Sequence, residues 1–284
     1  MNTIDTLSDI GSIAKTFTAA AIFRLIKQKK LSLDSKLSCF FTNLPENKKD
    51  ISISQLLTHT SGLDNFHSKS DFESMSKEEA LKRILILPVA HVGVDEVNYS
   101  NAGYTLLAMI VEEVSKTDFK NYIHNEIIDE LSLKNTGFYN DKTLINKPVA
   151  IGYDGDSAFN TYEQAVGWAL LGSGGMFSNV FDMVKWINTL KSSKLFSTDI
   201  NNLIFNKSIN GKWTFGNVKL KQYANRKVRE VGGSTDYGYT ILIQYIKENE
   251  LLIIAMLNGY SSAHENYTHH VVVKDIIHPI LFSN

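Results

Sequence analysis

Between Ile13 and Ile26 apolar residues nearly surround one helix, with Phe17, Ala20, Ala21 and Leu25 on one side. Such a helix has no face suited to water, so it must be buried and the rest of the chain must be built around it. Lys27, Lys29 and Lys30 close it with cations that suit a helix C-terminus. Its first turn reads Gly11-Ser12-Ile13-Ala14-Lys15. Residues three apart share a helix face with Cβ atoms about 5–6 Å apart, so the Lys15 amine can reach the Ser12 hydroxyl. Unpaired N–H groups of that turn favour negative charge on an alkoxide or oxyanion. An N-cap serine followed by a solvated lysine would carry the same tetrapeptide, so the pattern needs support from elsewhere.

Around this helix the remaining elements can be read in outline. Ser54 to Thr60 reads as a short helix stopped by Gly62, and Ser76 with Glu79 opens a helix that Pro88 ends. Ala102 to Val114 is a second buried helix, and an amphipathic one follows from about Asp118 to Leu131. After an irregular, glycine-bearing stretch around Gly152 to Gly175, Ser178 is expected to cap a helix reaching about Leu190. Asn210-Gly211 marks a turn, Tyr239 to Ile246 and Leu251 to Leu257 read as strands, and a final helix is expected over about 264–281. The pattern predicts one α+β domain over 1–284, an antiparallel sheet flanked by helices. Its helical part covers about 12–190 and its strands about 212–258.

The bulk properties narrow the partners. With 284 residues, 43% of them hydrophobic, the chain can bury a large core, and a net charge of −1 gives no reason to expect nucleic acid or an anionic membrane surface. No run approaches a membrane span, and Met1 to Thr6 lacks the basic start and apolar stretch of an export signal. Cys39 stands alone and is expected to be a small buried residue. No cofactor is implied, and a small-molecule or peptide-like substrate fits best.

Asn98-Tyr99-Ser100-Asn101 precedes the second buried helix, which puts Tyr99 and Asn101 on a loop rim. A phenol beside a lysine can relay protons to and from a serine, and the Asn101 amide can hold the lysine and a substrate carbonyl at once. With Ser12-x-x-Lys15 and Tyr99-x-Asn101 in place, the chain resembles the serine β-lactamase-related superfamily: class C β-lactamases, penicillin-binding proteins, DD-peptidases and related esterases. The runs Leu56-Leu57-Thr58-His59-Thr60-Ser61-Gly62-Leu63 and Ser173-Gly174-Gly175-Met176-Phe177-Ser178 resemble further family segments. Tyr-Ser-Asn where a related branch has Ser-Asp-Asn points to the class C and DD-peptidase side.

The resemblance implies a β-lactamase/transpeptidase-like fold and an acyl-enzyme on Ser12, with Lys15 and Tyr99 as one coupled base and no cofactor. It also implies substrate contacts at Asn101, Gly233, Ser234 and Thr235, with Ser12 N–H and an N–H near Ser234 or Thr235 forming the oxyanion hole. Two departures stand out. The family's third motif carries Lys or His, whereas this chain reads Glu230-Val231-Gly232-Gly233-Ser234-Thr235, so the cation is sought at Lys227 or, by strand alternation, Arg229. Family members also place a helix and two strands before the serine helix, whereas eleven residues precede Ser12. The sheet is then expected to have an open edge and the final helix to lose a packing partner; either a partner chain such as a second copy covers that edge, or the chain is a shortened, inactive relative.

Among other candidates, His59 reads as a structural hydrogen-bonding residue. His264, His269 and His270 read as ordinary helix residues rather than metal ligands. Trp168 and Tyr162 suit either a pocket wall or plain packing. Two functions stay open at this point: a serine hydrolase acting on an ester, amide or peptide-like bond, or a catalytically degenerate relative that binds a ligand without turnover.

Overall fold

A computed structural model describes residues 2–66, 70–90, 96–192, 194–223, 225–260 and 268–282. Helix α1 (Ala14–Lys27) runs through the interior, with Phe17, Ala19, Ala20, Ala21, Ile22 and Phe23 closed off from water. Helix α2 (Asn101–Ser115) is nearly as buried, and both belong to one continuous apolar cluster. Helix α3 (Val180–Lys191) locks onto α1 through Trp186, whose ring stacks on Phe17 at 4.1 Å while its Nε1 donates to Thr16 Oγ1 at 2.7 Å.

Four antiparallel strands, β1 (Lys219–Tyr223), β2 (Arg226–Ser234), β3 (Thr240–Ile246) and β4 (Leu251–Leu257), lie side by side in chain order. One face of the sheet joins the helical core through Val231, Ile241, Ile243 and Tyr245. The other carries Val228, Leu242 and Ile246, on which the C-terminal helical segment lays a fully buried Val273. That segment therefore has a packing surface, contrary to the expectation from the missing strands. Among the described residues β4 has β3 as its strand neighbour and no strand on its outer side.

Segments remote in sequence hold the start of α1 in place. Ser8–Asp9 pairs with Met176–Ser178, which pairs in turn with Gly137–Phe138. The expected cap of α3 is corrected by one residue: Ser178 is tied into this small sheet and to Thr136 Oγ1 at 2.9 Å, so Asn179 Oδ1 accepts the Asp182 N–H instead. The short helix expected from Ser54 starts at Ile53, where Ser52 and Gln55 form a capping box. Ser100, not Asn101, caps α2, accepting the Gly103 N–H at 3.2 Å. Cys39 is exposed, contrary to expectation, because it falls in a short surface turn, Leu37–Cys39, that buries only Leu37. His264 lies outside the described residues. Among those described, no helix is long and apolar enough to cross a membrane.

Candidate active site

Ser12 occupies a single helical turn, Gly11–Ile13, that leads into α1. The turn is anchored from below by Asp9, whose carboxylate accepts the Gly11 N–H at 2.9 Å and the Thr161 hydroxyl at 3.0 Å and also bonds Tyr139. Complete burial raises the Asp9 pKa to about 6, although all three hydrogen bonds pull the other way. Asp9 belongs to no recognisable sequence motif. Its one signal was an Asp two residues before Gly11, placed to bond a backbone N–H of a tight turn.

Lys15 is fully buried. Its Nζ donates to Ser12 Oγ at 3.0 Å and to the Ser173 carbonyl at 2.8 Å, and lies 5.1 Å from the centre of the Tyr99 ring. Burial lowers its pKa from the ordinary lysine value, with Tyr99 opposing the shift. The Tyr99 hydroxyl reaches the same Ser12 Oγ at 2.9 Å. Two proton-carrying groups thus meet on one hydroxyl, one delivered by helical spacing and one by a loop far along the chain.

His59 stands behind Tyr99, ring centres 4.4 Å apart, in the left-handed backbone region at φ 58°. Its Nδ1 accepts the Ser100 N–H at 3.2 Å, so its Nε2–H faces Asn217 Oδ1 at 2.9 Å. Burial pushes its pKa down to about 3, so the ring is neutral. It fixes the backbone beside Tyr99 and supports the phenol ring, as a structural hydrogen-bonding residue does. Asn101 opens α2, donates its backbone N–H to Asn65 Oδ1 at 2.8 Å, and lines the cavity above Ser12.

Strand β2 passes the other side of the serine. A Cβ on Gly233 would stand 2.2 Å from the Ile10 carbonyl oxygen and 3.0 Å from Ser12 N, so only glycine permits this approach. Thr235 commits its N–H to the Tyr239 carbonyl at 3.0 Å. The alternation of an antiparallel ladder then turns the Ser234 N–H away from β3, toward the Gly11–Ser12 turn. Ser234, rather than Thr235, is thereby the better-placed second donor for an oxyanion. Both side chains line the cavity.

The third-motif region departs from expectation. Val231 shares a face with Gly233, the side turned to the core, and is packed there with 2% exposure. Glu230 points to the opposite face, where Lys221 Nζ holds it at 2.5 Å and Gln244 at 2.9 Å. Arg229 does not supply the missing cation: its guanidinium bonds Asn206 Oδ1 at 3.1 Å on the exterior. Lys227 lies further along β2, and its backbone N–H bonds Glu248 at 3.0 Å. Apart from Lys15, the described residues bring one further ammonium to the cavities at Ser12, that of Lys219 on β1, which no sequence motif marks.

Two cavities meet at Ser12, Tyr99 and Ser234. The larger, about 320 Å³, is walled by Asn101, Tyr139, Leu170 and the glycine turn Gly174-Gly175, and carries two carboxylates, Asp71 and Asp236. The smaller, about 210 Å³, is lined by Trp213, Lys219, Glu230, His269 and His270. Trp168 and Tyr162 line neither: Trp168 packs under Lys77, and Tyr162 bonds the Asp141 carbonyl at 2.6 Å. Among the described residues no cluster of His, Cys, Asp and Glu is arranged to hold a metal ion.

A helix-borne serine backed by a buried lysine, a loop phenol and a glycine-lined strand defines the class of active-site-serine proteins built on the β-lactamase/transpeptidase fold. The family model described as Beta-lactamase matches residues 1–275, and the chain belongs to that family. A putative penicillin-binding protein, PbpX, of Bacillus subtilis (strain 168) is 28% identical over 89% of this chain and 62% of its own length. A teichoic acid D-alanine hydrolase of Staphylococcus aureus (strain NCTC 8325 / PS 47) is 24% identical over 96% of this chain and 68% of its own. The chain therefore spans only about three-fifths to two-thirds of the length of these relatives.

Solved structures agree on the fold. The D-amino acid amidase of Ochrobactrum anthropi SV3, complexed with D-phenylalanine, superposes with a TM-score of 0.84 at 20% identity, covering 100% of this chain and 86% of that one. The octameric penicillin-binding protein homologue of Pyrococcus abyssi gives 0.83 at 22% identity, covering 99% and 67%.

Proposed function

We propose that this chain is a serine hydrolase that transfers an acyl group to Ser12 and then to water, with D-aminoacyl esters or amides as its substrates. The observation that carries the reading is the convergence of Lys15 Nζ and the Tyr99 hydroxyl on Ser12 Oγ, at 3.0 and 2.9 Å, at the meeting point of two cavities. In acylation the Ser12 Oγ–carbon bond forms while its proton passes to the coupled Lys15–Tyr99 unit. The N–H groups of Ser12 and Ser234 receive the oxyanion. The bond to the leaving oxygen or nitrogen then breaks, and that atom takes the proton. Water reverses the sequence, giving its proton to the same unit and releasing the acid as Ser12 is reprotonated.

Two things support the substrate class. Asp71 and Asp236 in the larger cavity suit the ammonium of an aminoacyl group. Two proteins similar to this one act on D-alanyl or D-amino acid groups, as their names state. The absence of a cation at Val231 fits a substrate whose acyl part bears no carboxylate. The open outer side of β4 is a surface that a second copy could pair with, and one structural neighbour is octameric.

The test is intact-mass analysis after a fluorophosphonate probe, together with release of D-alanine from a D-alanyl ester. One adduct per chain, lost in Ser12→Ala, and faster turnover of D- than of L-alanyl ester are expected. An unmodified chain that nevertheless gains thermal stability from the ester would return the protein to the ligand-binding reading.

A further inference from the structure

The two cavities that share Ser12 differ in charge. Asp71 and Asp236 line the larger one, and among the described residues no Lys, Arg or His lines it. The smaller one contains an ammonium, Lys219, and two imidazoles. Glu230 also reaches it, but that carboxylate is already matched by Lys221 at 2.5 Å and by Gln244 at 2.9 Å.

Lys219 is held differently. It is the register partner of Glu230 on the neighbouring strand, and its ammonium lies over the Trp213 ring, 4.9 Å from the centroid. That ring stands 5.7 Å from the Tyr99 ring, so the ammonium is held one ring away from the reacting centre. Among the described residues Lys219 forms no ion pair. A half-buried ammonium facing a cavity whose lining carboxylate, Glu230, is already taken by Lys221 and Gln244 is a receptor for a negative group.

We propose that Lys219 supplies from β1 the cation that Val231 does not supply from β2, and that it makes the smaller cavity a subsite for an anionic oxygen group on the leaving side of the scissile bond. The anion is a phosphate or a carboxylate. This rests on the hydrolase reading, because it assigns the acidic cavity to the acyl ammonium and the basic one to the departing group. The Ser234 hydroxyl adds a donor, and His269, whose pKa burial pushes down to about 3, lines the site as a neutral ring. Burial and the neighbouring Lys221 also lower the pKa of Lys219, while Glu230 and Tyr99 counter them. Val231 itself belongs to the apolar core with Ile241 and Ile243.

The experiment compares D-alanyl esters of glycerol, glycerol phosphate and glyceric acid, which share an acyl group and differ in leaving-group charge. The wild type is expected to prefer one or both anionic esters by kcat/KM, and the favoured one identifies phosphate or carboxylate. Lys219→Met should cut that preference about 10- to 100-fold, the range for a hydrogen bond to a charged group, and Lys219→Arg should keep most of it. No preference in the wild type, or an equal loss on all three esters in Lys219→Met, overturns the proposal. Calorimetric titration of Ser12→Ala with glycerol phosphate and with glycerate reads the subsite without catalysis. Binding that Lys219→Met removes, in a chain that turns over none of the esters, would retain the anion site and discard the hydrolase reading. Absence of binding overturns the anion site.

Discussion

The Tyr99 hydroxyl lies 2.9 Å from Ser12 Oγ although 87 residues separate them in sequence. Lys15 meets the same atom from three residues away, at 3.0 Å. Both groups bond the same oxygen, so each helps to orient the hydroxyl that the proposed mechanism deprotonates.

Lys15→Met and Tyr99→Phe should each slow acylation by about 10²–10⁴, the range for a positioned proton-transfer group. The double variant should lose little more than the worse single one, because the pair acts as a unit. Stopped-flow acylation by a D-alanyl ester measures both. Burial lowers the lysine pKa, so its proton-accepting form persists to lower pH than a free lysine allows. The acid limb of kcat/KM should therefore be set by this pair and should change shape in Lys15→Met.

Asp9 gives a prediction about stability. Its pKa is about 6 in the folded protein against 3.8 for the free side chain, so between these values the native state holds a proton that the unfolded chain has released. Stability from this group is complete below about pH 4 and falls as pH rises to about 6, by up to about 3 kcal/mol. Asp9→Asn keeps an acceptor for Gly11 and should flatten that part of the profile. Urea unfolding from pH 4 to 7 checks it; an unchanged slope in Asp9→Asn would exclude Asp9 as its source.

His59 acts in the opposite sense. Its folded pKa of about 3 lies below the free value of 6.5, so the unfolded chain gains protons that the native ring refuses. Its contribution is present above about pH 6.5 and lost as pH falls toward 3. His59→Ala would strand the Ser100 N–H and remove the ring behind Tyr99, at a cost of about 2–4 kcal/mol. It should also lower kcat, which the denaturation midpoint and the turnover of a D-alanyl ester would report separately.

Gly233→Ala should abolish activity and destabilise the protein, since the new methyl would meet the Ile10 carbonyl at 2.2 Å. Backbone, not a flexible side chain, blocks it, so either β2 or the serine turn must shift. A Gly233→Ala chain that acylates normally would mean that the approach of β2 to Ser12 is looser than described.

Short-range patterns were the readable ones. The apolar wrap of α1 and α2, the Ser76 cap and the β3–β4 connection at Lys247–Glu250 are set by neighbours in sequence, and they fall within a residue or two of expectation. Ser12 and Lys15 were visible for the same reason. Asp9 and Lys219 were not, because each gains its role from a partner that only the fold supplies: Tyr139 and Thr161 for one, Trp213 and Tyr99 for the other. Arg229 was a sound choice by strand alternation, yet alternation identifies a face and not which neighbouring strand fills it.

The residues around Ser12 come from stretches of chain 87, 158 and 205 positions apart, as the bonds of Tyr99, of Lys15 to Ser173 and of Asn217 to the serine carbonyl show. No fragment of the polypeptide can therefore harbour a reactive serine by itself. If Ser12 is the nucleophile proposed above, a nascent or partly melted chain is chemically silent, and covalent labelling of Ser12 becomes a gauge of how much of the population has completed its fold.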